Sequence, residues 1–510
     1  MRRSRTAATV AACVLGLGPA LLGAAPGRVP ASAATDPAPV VRWGACPEQS
    51  VPAELRCGTV EAPIDYADPA KGMVEIALAR MPAADPGHRI GSLLLNFGGP
   101  GGPGIATLAS GAKAFADLGK RYDLVAFDPR GVGHSDPVSC GGSQQVAESA
   151  TDDAASRLAA LKAVAQRCEL ASGPVLPYVG TVNVARDMDR IRRALGEKKL
   201  DYLGFSYGTR LGAVYAALFP RTTGRMVLDG VDTLTEPLAE QALVSARGQQ
   251  RALDNFLTWC AHRPGCVYGT NTRTAKERVA ALVTRLDQEP LTGQDGTYFT
   301  GEDAVLAIGV ALYSPRMWPA LADGLAMAER DRDPAGLLQL GGPTGPPTDD
   351  DGPDGGGPPE VPADNADAAL VAVNCADDPD RGSGTASPAA LAKEVEALEP
   401  EFLAASPVFG PNQLMTVLSC YGRPRGTDFI RRIDHPGAPR MLLVGTRGDP
   451  ATPYEWTEET AARLGNAVVL DYKGDGHTGY DSSPCVRGYV GAFLLEGRLP
   501  GGTRSCPAGE

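Results

Sequence analysis

The stretch Leu200-Asp201-Tyr202-Leu203-Gly204-Phe205-Ser206-Tyr207-Gly208-Thr209-Arg210 decides how this chain is read. An apolar strand, Leu200–Leu203, runs into Gly204-x-Ser206-x-Gly208. Residues 207–219 then read as a helix that Pro220 ends. A serine on such a strand-to-helix turn presents its hydroxyl, and the flanking glycines let the backbone pass close to neighbouring elements. The pentapeptide alone is a modest signal in a glycine-rich chain. Its context makes it specific: it is the only such match, it follows a strand and it opens a helix. An ordinary Gly/Ser turn is the weaker reading in that setting.

Upstream, residues 58–64 and 74–80 read as two early strands. Ser92–Asn96 is a compact buried strand that leads into Gly98-Gly99-Pro100-Gly101-Gly102-Pro103-Gly104. Tyr122–Phe127 is another, ending at Asp128-Pro129-Arg130-Gly131, and helical patterns fill roughly 146–170 and 183–196. Downstream, Arg225–Leu228, Met441–Val444 and Ala467–Leu470 are further strands. Strands separated by helical segments imply a mostly parallel sheet with crossover helices. Between 232 and 436 the order is interrupted by helical segments without a clear run of buried strands. That interval reads as a largely helical cap inserted into the sheet, and within it 341–364 is a loop dominated by Gly, Pro and Asp. Residues 34–231 and 437–510 are then the two parts of the core.

A serine nucleophile needs a base. In the α/β-hydrolase fold the chain order is Ser, acid, His. Only five histidines are present: His88, His134, His262, His435 and His477. His477, in Gly474-Asp475-Gly476-His477-Thr478-Gly479, follows the last strand, where a loop can bring an imidazole to the serine. His134 follows a turn, and His88, His262 and His435 sit in Pro- or Cys-rich loops. The acid should end the preceding strand, which selects Asp449 in Arg447-Gly448-Asp449-Pro450. It can accept the imidazole N–H and stabilise the imidazolium that forms. Asp229, at the end of an earlier strand, is its rival, and Asp475 reads as a loop-bracing residue.

The developing oxyanion needs backbone N–H donors. Tyr207, the residue after the nucleophile, is one candidate and Gly99, in the glycine-rich loop, is the other. Pro100 has no N–H to offer. That loop is a poor phosphate cradle, because it lacks a Gly-Lys-Ser/Thr ending and its prolines remove donors. The expected class is therefore an α/β-hydrolase in which Ser206 forms an acyl-enzyme with His477 as base and Asp449 as orienting acid, with no metal or organic cofactor.

The 510 residues are 43% apolar, enough for a large core, and the charged fraction of 21% argues against a disordered chain. Residues 1–33 read as a secretory signal: a basic start, an apolar stretch from about Ala7 to Ala25, and Ala31-Ser32-Ala33 as a cleavage site. Its removal takes away four arginines and moves the net charge from −12 to −16. Such an acidic surface disfavours nucleic acid and anionic membranes as partners. No stable membrane insertion is expected. Ten cysteines remain after Cys13 leaves, an even number that suggests disulfides in an exported protein. Neighbour pairing, 46–57, 140–168, 260–266, 375–420 and 485–506, is the simplest scheme. No C-x-x-C supports a zinc site.

Asn96-Phe97-Gly98-Gly99-Pro100-Gly101-Gly102-Pro103-Gly104, Gly204-Phe205-Ser206-Tyr207-Gly208-Thr209-Arg210, Gly448-Asp449-Pro450-Ala451-Thr452-Pro453 and Gly476-His477 together resemble the tripeptidyl aminopeptidases secreted by actinomycetes, relatives of the proline iminopeptidases. The resemblance spans about Trp43 to Cys506, and the part with Cys375, Cys420 and Cys485 is similar to that family's C-terminal TAP-like region. It implies release of short peptides, often tripeptides, from free protein N-termini, outside the cell or at its wall. Esterases also belong to the group. The chain departs from the pattern in its 341–364 segment and at Tyr421, where a tryptophan is expected. An exopeptidase must also bind a free ammonium, and Asp377, Asp378, Glu236 and Glu240 are the candidate carboxylates. A non-catalytic protein on the same scaffold would have lost one of the three reactive residues, and all three are present.

Overall fold

A computed structural model of the chain describes residues 39–46, 51–142, 154–294, 296–341, 361–378, 387–430, 433–434, 437–501 and 504–509. The expected signal segment 1–33, most of the 341–364 loop and His435 lie outside the described residues.

Among the described residues eleven strands form in chain order: β1 (Arg56–Pro63), β2 (Met73–Met81), β3 (Gly91–Asn96), β4 (Tyr122–Phe127), β5 (Leu200–Phe205), β6 (Thr223–Asp229), β7 (Leu291–Thr292), β8 (Tyr298–Phe299), β9 (Leu442–Gly448), β10 (Val468–Asp475) and β11 (Ser505–Cys506). Nine of them make one sheet in the order β1-β2-β4-β3-β5-β6-β9-β10-β11. β1, β2 and β4 pair antiparallel, and every pairing from β4–β3 onward is parallel. β3 and β4 are buried at every position, as a sheet covered by helices on both faces requires. One face packs under helices Thr181–Ala194 and Tyr207–Leu218, with Met188, Ile191, Leu211 and Tyr215 in the layer. The other packs under helix Pro484–Glu496, with Val486, Val490 and Leu494.

Between β6 and β9 the chain leaves the sheet. Helices Leu238–Ala261, Thr272–Gln288, Gly301–Leu312 and Trp318–Arg330 bury their own core, centred on Phe256, Val279, Ile308, Leu321 and Phe409. The β7–β8 pair is the small exception to the expected absence of strands there, and it forms its own two-stranded sheet. Helix Asn365–Asp377 behaves differently from its neighbours in the interval. Its Ala368, Ala369, Ala372 and Val373 pack into the hydrolase core layer. Asn365 at its start donates to Gly131 O and Val138 O and accepts from Gly133 N–H, at 2.8–2.9 Å.

Among the described residues five disulfides join Cys46–Cys57, Cys140–Cys168, Cys260–Cys266, Cys375–Cys420 and Cys485–Cys506, which is the neighbour pairing. Among them no helix is long and apolar enough to cross a membrane.

Arg130, after β4, is fully buried and makes a two-point pair with Asp187 at 2.6 and 2.7 Å. Two further donors, on Nη1 and Nη2, reach Ile64 O and Pro63 O, and the Tyr66 hydroxyl donates to Asp187 at 2.7 Å. The pair thus ties the end of β1 to helix Thr181–Ala194. Removing one partner strands a buried charge, so Asp187→Ala should lower unfolding stability by about 3–5 kcal/mol. Urea denaturation should show this as a lower midpoint at an unchanged slope.

Candidate active site

Ser206 stands between β5 and helix Tyr207–Leu218 at φ 53°, ψ −128°. L-residues rarely hold such a conformation unless their surroundings impose it. Here the Ser206 N–H donates to Asp229 O at 3.0 Å, and the Tyr202 hydroxyl donates to Gly208 O at 2.7 Å. A Cβ at Gly208 would lie 2.6 Å from Asn96 Oδ1, which is why the turn and β3 can touch only with glycine there. Gly98 meets the turn from the other side. Its φ is +92°, and a Cβ would lie 2.7 Å from Phe205 O and 2.8 Å from Ser206 Cβ.

The Gly98 N–H is held by Asn96 Oδ1 at 3.0 Å. Among the described residues the N–H groups of Gly99 and Tyr207 have no protein partner. Gly99 and Ser206 line one cavity of about 250 Å³. Its other walls come from the loop after β6, helix Leu238–Ala261, Tyr313 and the loop that follows Asp449.

His477 follows β10, and its Nδ1 lies 2.9 and 3.0 Å from the two Asp449 oxygens. That contact places the ring proton on Nδ1 and leaves Nε2 as an acceptor. Asp449 is fully buried, and it also accepts from Ala451 N–H, Thr452 N–H and the Thr452 hydroxyl at 2.8–2.9 Å. The His477 N–H donates to Tyr313 O at 2.8 Å, and the two rings meet edge to face with centroids 5.0 Å apart.

Burial by itself would lower the His477 pKa. The Asp449 charge and hydrogen bond, with the fields of Asp229 and Asp232, outweigh it and raise it above 6.5. The general base that the sequence expects His477 to be would work only when neutral. kcat/KM should therefore be low at acid pH and rise through a midpoint above 6.5, as read from an ester pH–rate profile.

Asp229 occupies a different position from Asp449. Its backbone carbonyl receives Ser206 N–H, while its buried carboxylate accepts Gly479 N–H and Tyr480 N–H at 2.8 and 2.7 Å. It clamps the nucleophile turn to the histidine loop. Burial pushes its carboxyl up to about 7, against the pull of those two donors. Asp475 accepts from Asn255 at 2.6 Å and so braces the loop against helix Leu238–Ala261.

The four carboxylates expected to meet an ammonium do not line the cavity. Asp377 is buried and accepts from Thr181 N–H at 2.8 Å, from the Thr181 hydroxyl and from Arg210. Asp378 is buried at the end of helix Asn365–Asp377. Both Glu236 oxygens are committed, one to Leu234 N–H, Thr235 N–H and the Thr233 hydroxyl, the other to Arg463 at 2.7 Å. Glu240 is exposed in the first turn of its helix, where an acid complements the helix dipole. The charged side chains that do line the cavity are Arg210 and Asp232. Arg210 closes the motif Gly-x-Ser-x-Gly-Thr-Arg, and Asp232 lies three residues past β6. Nothing in the sequence signals that the two meet.

A half-buried serine on a tight strand-to-helix turn, a histidine held through Nδ1 by a buried carboxylate, and backbone N–H groups without protein partners beside the serine, all on a mostly parallel sheet, define a serine hydrolase of the α/β-hydrolase fold. The family described as TAP-like protein matches residues 406–506. The chain is 33% identical to serine protease Hip1 of Mycobacterium tuberculosis, over 91% of each chain. It is 34% identical to carboxylesterase B of the same organism, over 96% of this chain and 94% of that one. It is 30% identical to the tripeptidyl aminopeptidase of Streptomyces lividans, over 91% and 86%. The chain belongs to this family of TAP-like serine hydrolases.

Proposed function

We propose that the chain is a secreted serine exopeptidase that releases short peptides, tripeptides foremost, from free N-termini. The observation that carries this reading is the cavity beside Ser206, walled by elements of the 232–436 interval and lined with neutral amide and hydroxyl side chains such as Gln241, Ser245, Gln249, Asn374 and Gln413. Such groups pair with the N–H and C=O groups of an extended peptide. The 232–436 interval acts as the cap that limits how much of a chain can enter. Ser206 Oγ attacks the scissile carbonyl while His477 Nε2 takes its proton, and Asp449 stabilises the imidazolium. The N–H groups of Tyr207 and Gly99 receive the oxyanion. The amine leaves with the proton from His477, and water then releases the acyl group by the same route. No metal or organic cofactor takes part. Five disulfides and an acidic chain suit an extracellular setting.

The same chemistry serves a secreted carboxylester hydrolase, a second reading favoured by the similarity to carboxylesterase B. A tripeptide p-nitroanilide compared with its N-acetylated form, with Ser206→Ala as control, separates the two. The exopeptidase reading expects release from the free form, little from the acetylated form and none in the control. Hydrolysis of p-nitrophenyl esters with neither anilide cleaved would establish the esterase.

A further inference from the structure

Arg210 and Asp232 stand in the wall of the cavity that holds Ser206, and they are the charged residues of that wall among the described residues. Arg210 is buried. Its Nε donates to Thr233 O at 2.9 Å, its Nη2 lies 3.0 Å from Asp232 Oδ2, and its Nη1 lies 3.4 Å from Asp377 Oδ2 behind the wall. One guanidinium therefore faces two carboxylates, so with both ionised the cluster is one positive charge short; burial pushes both carboxyls up, against the pull of Arg210. A buried, uncompensated charge is unfavourable. The Asp377 oxygens are further held by Thr181. Asp232 is the carboxylate with access to the cavity: Oδ1 accepts one backbone N–H, from Thr233 at 2.8 Å, and Oδ2 faces Arg210. A carboxylate has about four lone-pair sites, so Asp232 retains the capacity for another donor. The Asp232 N–H donates to the Thr209 hydroxyl, and Thr209 N–H donates to Ser206 O, so this acid lies within one helical turn of the nucleophile.

We infer that Asp232, with Arg210 and Asp377 behind it, forms a cation subsite beside Ser206 that receives an alkylammonium group of the substrate. The carrier is either the α-ammonium of a short peptide or the side chain of a lysine next to the scissile bond. The inference rests on the exopeptidase reading for the identity of that carrier, while the subsite itself can be tested apart from it. Asp232 acts here as a specificity residue. The ammonium supplies the missing positive charge and a charge-assisted hydrogen bond.

The experiment uses the full chain and p-nitrophenyl acetate hydrolysis, with n-butylammonium and 1-butanol as competitors. The wild type should bind the amine about tenfold or more tightly than the alcohol, and Asp232→Asn should reduce that ratio to near unity. Asp377→Asn removes the same excess charge without altering the cavity wall and should reduce the ratio by a smaller factor; it also serves if Asp232→Asn fails to fold. Two substrate arms identify the carrier. One compares Ala-Ala-norleucine p-nitroanilide with its acetylated form. The other compares acetylated Ala-Ala-Lys and Ala-Ala-norleucine p-nitroanilides. A preference for the cationic member that collapses in Asp232→Asn assigns the α-ammonium in the first arm or the lysine in the second. Equal binding of amine and alcohol by the wild type, or a ratio unchanged in both variants, would overturn the subsite. Amine-selective competition with no anilide cleaved would retain the subsite and reject the exopeptidase reading.

Discussion

Ser206→Ala leaves a folded protein whose kcat on a p-nitrophenyl ester falls by about 10⁶-fold. Among the described residues no other hydroxyl of the cavity wall takes its place. The other hydroxyls of the wall include Ser245 and Thr416, on elements between β6 and β9, and Thr452, whose hydroxyl donates to Asp449 at 2.9 Å. None of them sits at the end of β5, beside Tyr207 and across the cavity lining from Gly99, whose N–H groups are the expected oxyanion donors. Residual activity of about 10³–10⁴ over water should persist, because those donors and the cavity remain. The fold should be indifferent to the loss of one oxygen, since the turn is held by backbone and Tyr202 contacts. Ser206→Gly sharpens the point. The wild-type serine is held at φ 53°, and glycine adopts that conformation without penalty. This variant should be as inactive as Ser206→Ala and more stable than the wild type by about 1 kcal/mol, measured by urea unfolding. A destabilised glycine variant would mean that the turn is not strained.

Asp449→Asn should lower kcat by about 10⁴-fold with little change in melting temperature. The carboxylate accepts Ala451 and Thr452 N–H through Oδ1 and the Thr452 hydroxyl through Oδ2. An asparagine would keep its single oxygen on the two backbone donors and turn its NH₂ toward His477 Nδ1. The ring proton would then move to Nε2, where it blocks acceptance of the Ser206 proton. The upward pull of Asp449 on the His477 pKa would vanish with the charge, so the acid limb of the residual pH–rate profile should move to lower pH. Asp229→Asn is the informative partner. Asp229 holds Gly479 and Tyr480 rather than the imidazole, so its loss should act through the placement of the loop and cost about 10–10²-fold. A larger loss at Asp229 than at Asp449 would exchange their roles.

Much of the frame was legible in the chain because it is local. A strand, a tight turn and a helix over residues 200–219 depend on neighbours in sequence, and the apolar runs at 92–96 and 122–127 are continuous because both faces are buried. Cysteines close in sequence found each other for the same reason. The interval between β6 and β9 was legible only as helical. Helix periodicity does not tell which layer a helix joins, and Asn365–Asp377 went to the hydrolase core because Asn365 satisfies three backbone groups around Gly131 and Val138.

Carboxylates were the least legible. Composition places acids throughout the chain, but whether one faces a cavity or a neighbouring arginine depends on contacts far apart in sequence. Asp377 reads as a candidate for a substrate ammonium, yet it is buried on Thr181, 196 residues away. Glu236 is closed off by its own loop and by Arg463. Asp232 carries no motif, yet it comes to the wall beside Ser206 because β6 lies next to β5. The sequence by itself determined the parallel sheet, the serine turn and the residue types available for chemistry, since these follow from short-range pattern. Only the tertiary structure decided that Asp449 meets His477 while Asp229 holds the loop, and which buried charges are compensated. Those outcomes depend on strand order and on electrostatic pairing across the whole chain.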